Sequence, residues 1–377
     1  MSTKINVRSP YYIKVSDNQL AEATMELYIY TGEQSIKPDD VTYTITKKTI
    51  GNSNDIVFEI SELVRDYLDI EFNGTYTSYT VWVEADITTR EIDGTLIDTS
   101  ISQYIAFDGY GYFEEGANPA LQQGLIQSNK TIFRLNDQDV KIPVDTNTAT
   151  SIAFYYNGEL KRSETISTST NTNQQIKYLS VSGSSSSTDF KQRVLLDGGT
   201  LEAELCIQDL LDTLDIGLID EVWIGSDSGT EIVKIKTVDE CKYEPIVVTF
   251  VNRFGALQDI VFFKKSIESL SVKGEQYKAA NLNVDSYDTF RHNRTQFLVQ
   301  GQDSITMNTG YLNDEYNKVI EELMLSEQVW MYRDGDTTIT PIIPTTKQVT
   351  FKTSLNDRLV DYTISFDMAF DKINNIR

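Results

Sequence analysis

Nucleophilic catalysis through a Ser-His or Cys-His pair would have to use the single histidine of this chain, His292. A Ser-His or Cys-His pair needs an imidazole to take the proton from the attacking group. His292 sits in Asp288-Thr289-Phe290-Arg291-His292-Asn293-Arg294-Thr295, a polar run that reads as a solvated loop. No G-x-S-x-G is present. The nearest approach, Gly225-Ser226-Asp227-Ser228-Gly229, centres an aspartate where a nucleophile would stand and reads as a turn. Acid pairs occur at Glu114-Glu115 and Asp39-Asp40. Two carboxylates placed across a cleft would suit glycoside hydrolysis, but nothing in the sequence brings two of them together. Asp334-Gly335-Asp336 resembles a fragment of a calcium loop without the remaining ligands, and reads as a hairpin turn. No phosphate-binding or dinucleotide-binding glycine pattern appears. Cys206 and Cys241 are the only cysteines, too few for a disulfide framework and not at metal-ligand spacing. The residues thus predict no catalytic, cofactor-binding or metal-binding set.

The charge narrows the partners. Across 377 residues, 56 acidic against 33 basic side chains give a net charge of −23. Such a surface repels phosphate and gains no counterion-release affinity, so sequence-specific nucleic-acid binding is not expected. The start, Met1-Ser2-Thr3-Lys4-Ile5-Asn6, lacks an apolar signal region. No run reaches the roughly 18 apolar residues of a membrane-spanning helix. Synthesis in a cytoplasm and no membrane insertion are the expectations.

The elements that would position any site are predicted to be mainly β. Tyr (21) and Phe (16) accompany abundant Thr, Val and Ile, residues that fit half-buried pleated surfaces. Three segments are expected. Residues 1–112 carry strand-like runs at Tyr11–Val15, Ala23–Tyr30, Val41–Lys47, Asp55–Glu59, Thr77–Ile87 and Ser100–Phe107, with one helical turn capped by Ser61. Short strands at this spacing predict a β-sandwich of immunoglobulin or fibronectin type. Residues 113–244 predict a second sandwich with Ser/Thr-rich loops at Ser163–Asn173 and Ser182–Thr188, and helical spacing through Leu205, Leu210, Leu211 and Leu214. Between the two, Asp108-Gly109-Tyr110-Gly111-Tyr112 reads as a boundary whose rings either pack at home or meet a partner.

Residues 245–377 predict a β domain with one flanking helix. Two β-rich runs flank Asn252-Arg253-Phe254-Gly255-Ala256. Asn252 and Gly255 suit a turn, Gly255 being free to take a positive φ. Later strands are expected at Thr338–Ile343, Gln348–Thr353 and Leu359–Phe366. Residues 313–327 form the clearest helix, with Asn313 as cap and an apolar stripe of Tyr316, Val319, Ile320, Leu323 and Met324.

Three stretches carry a resemblance: Val248 to Asp259, the helix end Leu325-Ser326-Glu327-Gln328-Val329-Trp330, and Lys352 to Ile364; the turn Phe58 to Tyr67 adds to them. These are similar to tail structural proteins of phages that infect Bacteroidota, including crAss-like phages. The resemblance implies a β-rich subunit laid out like tail-tube and hub domains, with no reaction of its own. It implies a homo-oligomeric ring, six-fold or twelve-fold, joined to other tail proteins in the virion: a hub, ring, adaptor or baseplate part. An acidic bore would let DNA pass without adhering. Arg253, Phe254, Tyr110, Tyr112 and Trp330 are the candidate subunit contacts. The alternative expectation is a host-recognition module that binds glycans through its aromatic loops.

Overall fold

The computed structural model describes residues 3–51, 53–120, 123–135, 139–166, 173, 175–185, 191–196, 201–206, 219–227, 229–238, 240, 242–279, 286, 289–333, 338–351 and 359–373. The protein is mainly β. Its first part contains β1 (Thr3–Asn6), β2 (Tyr12–Ser16), β3 (Glu22–Tyr30), β4 (Tyr43–Lys48), β5 (Asp55–Glu59), α1 (Ser61–Arg65), β6 (Thr80–Arg90) and β7 (Leu96–Phe107). Five of these strands form a sheet in the order β1-β7-β6-β3-β4, while β2 and β5 pair separately. One core draws on both sheets, with Met25, Leu27, Val83 and Ala85 from the larger and Ile13, Ile56 and Phe58 from the smaller. In β3, the alternation Ala23, Met25, Leu27 points one face inward. Ser61 is the first helical residue and not the cap; its hydroxyl accepts the Tyr11 N–H at 3.1 Å.

Next come β8 (Thr131–Leu135), β9 (Val140–Asp145), β10 (Ala149–Tyr156), β11 (Glu159–Thr165), β12 (Ile176–Ser185), β13 (Lys191–Leu196), β14 (Leu201–Cys206), β15 (Glu221–Ser226) and β16 (Gly229–Val238). They make a five-stranded sheet, β11-β10-β15-β16-β8, and a four-stranded one, β14-β13-β12-β9. Ile152, Phe154, Val222 and Ile224 from the first share a core with Ile142, Val144, Leu179 and Val181 from the second. The expected helix at Leu205–Leu214 is corrected at its start, where Leu205 and Cys206 end a strand paired with β13; the remainder lies outside the described residues. Of the two Ser/Thr-rich stretches expected as loops, Ser163–Thr165 belongs to β11 and Ser182–Ser185 to β12, while residues 167–172 and 186–188 lie outside the described residues.

The last strands and helix are β17 (Ile246–Val251), β18 (Leu257–Phe262), β19 (Ile267–Lys278), β20 (Arg294–Asn308), β21 (Leu312–Asn313), α2 (Tyr316–Leu325), β22 (Val329–Arg333), β23 (Thr340–Pro344), β24 (Leu359–Val360) and β25 (Thr363–Met368). Their main sheet runs β18-β17-β22-β23-β25-β20-β19. All six residues of β17 are buried, as a strand apolar on both faces requires. Asn313 does not cap α2: it pairs with Leu359 in β21–β24, and the helix begins after Glu315. Gln348–Phe351, expected as a strand, has no strand pairing.

The chain divides into two compact units: Met1–Asp239 with Thr249–Ile260 and Glu315–Ser326, and Glu240–Val248 with Val261–Asp314 and Glu327–Arg377. The hairpin tip and α2 therefore belong with the N-terminal strands.

Candidate functional site

The turn between β17 and β18 is built by Asn252. Its backbone N–H donates to Ala256 O at 2.9 Å, and Gly255 N–H returns to Asn252 O at 3.0 Å. The Asn252 side-chain oxygen accepts the N–H groups of Phe254 and Ala256 at 3.0 and 3.1 Å. Its amide nitrogen donates to Ile126 O at 2.8 Å and Gln258 Oε1 at 2.9 Å. Gln258 then donates to Asn129 Oδ1 at 2.8 Å. A fully buried amide persists only with such partners, and these tie the turn to segment 126–131. Gly255 has φ of +77°, and a Cβ there would stand 2.8 Å from the backbone nitrogen of Asp108. The turn thus meets the Gly-Tyr-Gly-Tyr segment at backbone distance. Gly109 answers it: a Cβ at that position would meet Arg253 O at 2.7 Å, and Tyr110 N–H donates to that same oxygen at 2.8 Å.

Four of the five candidate contact residues are gathered here, within the first unit. Arg253 reaches both carboxylate oxygens of Glu115 at 2.8 Å, and its guanidinium lies 4.5 Å from the centre of the Tyr112 ring. Arg8 lies 4.8 Å over the Tyr110 ring, and the two tyrosines meet edge to face at 5.9 Å. Tyr110 and Phe254 are buried and Tyr112 is half-buried. These groups face their own chain, not an open surface. Trp330 is elsewhere, half-buried in β22 of the second unit, opposite Pro341.

The sequence reading missed the group at the centre of this cluster. Glu322 of α2 is fully buried. Its Oε1 accepts from the Ser128 hydroxyl, while Oε2 has no hydrogen-bond partner. Burial pushes the carboxyl up to about 7; the Ser128 hydrogen bond and the Arg253 backbone and charge pull the other way and do not cancel it. Burial also works to raise Glu115, but its hydrogen bonds from Arg253 and the Tyr112 backbone outweigh that and hold it below the usual range. Tyr112 is pushed up to about 12, by burial and then by the nearby Glu321 and Glu322. The clue in the sequence was spacing, since Glu322 falls three residues after Val319 on the apolar stripe.

A second, half-buried carboxyl lies on β18. Asp259 accepts the Tyr76 hydroxyl at 2.7 and 2.6 Å and the Thr249 hydroxyl at 2.7 Å, and burial raises its pKa. Neither carboxyl stands beside a nucleophile and an imidazole. His292 is exposed. Among the described residues no group of three or more His, Cys, Asp or Glu could hold a metal ion. Asp334-Gly335-Asp336 and Cys241 lie outside those residues, as does Ser228 of the Gly-Ser-Asp-Ser-Gly turn.

The opposite kind of surface appears on β19 and β20. They pair over eleven registered positions, from Ile267↔Thr306 to Lys278↔Arg294. β25 accompanies β20 only from Ser304 to Asn308, and Lys372 N–H reaches Gly301 O at 2.8 Å. Beyond that the two strands form a ribbon of their own among the described residues. All twelve residues of β19 are exposed. Successive side chains on a strand point to opposite faces, so Leu270 and Val272 stand on one face and Ile267 and Tyr277 on the other. No family model, curated protein or solved structure matches this chain.

Proposed function

We propose that this protein is a non-enzymatic structural subunit of a phage virion tail. It assembles in several copies into a ring around the tail axis and joins neighbouring tail proteins as a hub, ring, adaptor or baseplate part. The observation that carries the reading is the β19–β20 arm. An isolated two-stranded ribbon is marginal in water, yet this one exposes Ile267, Leu270 and Val272 at 55% each. A long edge strand with uncovered apolar side chains on both faces is an assembly surface or an aggregation hazard. A subunit that meets other chains puts it to use. The paired sheets of the first unit suit the body of such a subunit. The net charge of −23 suits a wall past which DNA must slide.

Glycan recognition would need rings other than Tyr110 and Tyr112, whose faces carry Arg8 and Arg253. The test is solution mass. The full chain should sediment as a discrete multi-copy species. A variant with residues 274–299 replaced by Asn-Gly, a turn that suits the Lys273↔Gln300 pair, should sediment as a monomer. A monomeric full chain at every concentration, or an unchanged oligomer without the arm, would overturn the reading.

A further inference from the structure

The arm leaves one edge open. β19 ends its sheet, so on its outer side no described strand takes up its backbone N–H and C=O groups. Natural edges of this length are usually bent by a bulge or guarded by charge. Here the bulge is on the other strand: Gly274 of β19 faces Leu298 and Val299 of β20, with Leu298 at φ +50°. β19 itself therefore stays regular over its twelve residues.

We propose that this edge pairs antiparallel with β19 of a second copy of this chain, turning two ribbons into one four-stranded sheet. The inference rests on the assembly reading above and names the partner at its arm. Only an antiparallel pairing lets one strand meet itself about a two-fold axis. Two copies each at −23 repel, so the contact must fall where the charge balances. β19 carries Glu268, Lys273, Glu275 and Lys278, two of each sign. Centred on Gly274, the pairing sets Lys273 of each copy opposite Glu275 of the other. No like charges meet in that register, and Leu270 to Lys278 overlap. Neither Lys273 nor Glu275 has an ion-pair partner among the described residues, whereas Glu268 is held by Arg333. A two-fold contact joins copies in pairs and adds to the head-to-tail seams of a ring; it does not replace them.

Charge exchange on the full chain tests this. Lys273→Glu turns both cross-copy pairs into like-charge pairs and should weaken association measured by sedimentation about tenfold. The double exchange Lys273→Glu with Glu275→Lys restores two attractive pairs and should return association to the original value. A parallel measurement uses single-cysteine chains on a Cys206→Ser, Cys241→Ser background. Lys273→Cys and Glu275→Cys chains should form a disulfide-linked dimer when mixed and little when kept apart. If the chain without residues 274–299 loses association while Lys273→Glu does not, the assembly reading stands and the edge pairing is refuted. If the double exchange fails to restore what the single one lost, the register is wrong. If removing the arm changes nothing, both fall.

Discussion

Glu322→Gln should stabilise this protein, and should do so only above the pH at which an ordinary glutamate ionises. Glu322 is fully buried, with Oε2 unpartnered, and its carboxyl titrates near 7 instead of 4.5. The folded state therefore holds a proton that the unfolded chain releases. Its contribution is complete below pH 4.5 and declines as pH rises through about 7, where the folded state must also ionise. A displacement of this size corresponds to about 3 kcal/mol at most. Glutamine keeps the shape and the oxygen that accepts from Ser128 while removing the charge. The variant should match the parent near pH 4.5, pull ahead through pH 6, and lead by about 2–3 kcal/mol at pH 8.

Urea unfolding of both chains at several pH values measures this directly, with buried Trp82 reporting on the unit that holds Glu322. The other carboxylates titrate in both chains and cancel in the difference. A difference constant with pH would show that burial does not hold the proton on Glu322. A variant weaker at pH 8 would show that the Arg253 charge, not desolvation, dominates the site.

Two other carboxyls give sharp expectations. Tyr76→Phe removes the hydroxyl bridging both oxygens of Asp259 and should cost about 1–3 kcal/mol in urea unfolding, whereas Tyr76→Phe with Asp259→Asn should recover part of that loss. Lys4→Met strands Asp145, a fully buried carboxyl whose only ion-pair partner among the described residues is Lys4; it should cost about 3–5 kcal/mol, seen as a lowered melting temperature, and a loss under 1 kcal/mol would mean that the pair is solvated.

How much of this could be read from the chain depends on how far apart the cooperating residues lie. The β class, the β17–β18 turn and the α2 helix are local, set by alternation, by Asn252 with Gly255, and by a stripe repeating every three to four residues. The inward fate of Arg253 is not local, because its partner Glu115 lies 138 residues earlier. An isolated hairpin would hold Arg253 and Phe254 out at its tip; the Gly-Tyr-Gly-Tyr segment closing over that tip is a long-range event. Glu322 was hidden by its chemistry, since a carboxylate on a helix normally marks the solvent side.

The arm escaped for the opposite reason. Hydrophobic alternation appears in a strand when one face is buried by the rest of the same chain. β19 buries neither face, so its apolar residues, Ile267, Leu270, Val272 and Tyr277, follow no two-residue rhythm and the strand reads as a polar connection. The missing rhythm is itself informative. A twelve-residue strand has to recover the cost of ordering its backbone, roughly 1–2 kcal/mol per residue, and among the described residues it has only one ladder and no covered face with which to do so. The assembly proposed above would add the missing contacts from other copies.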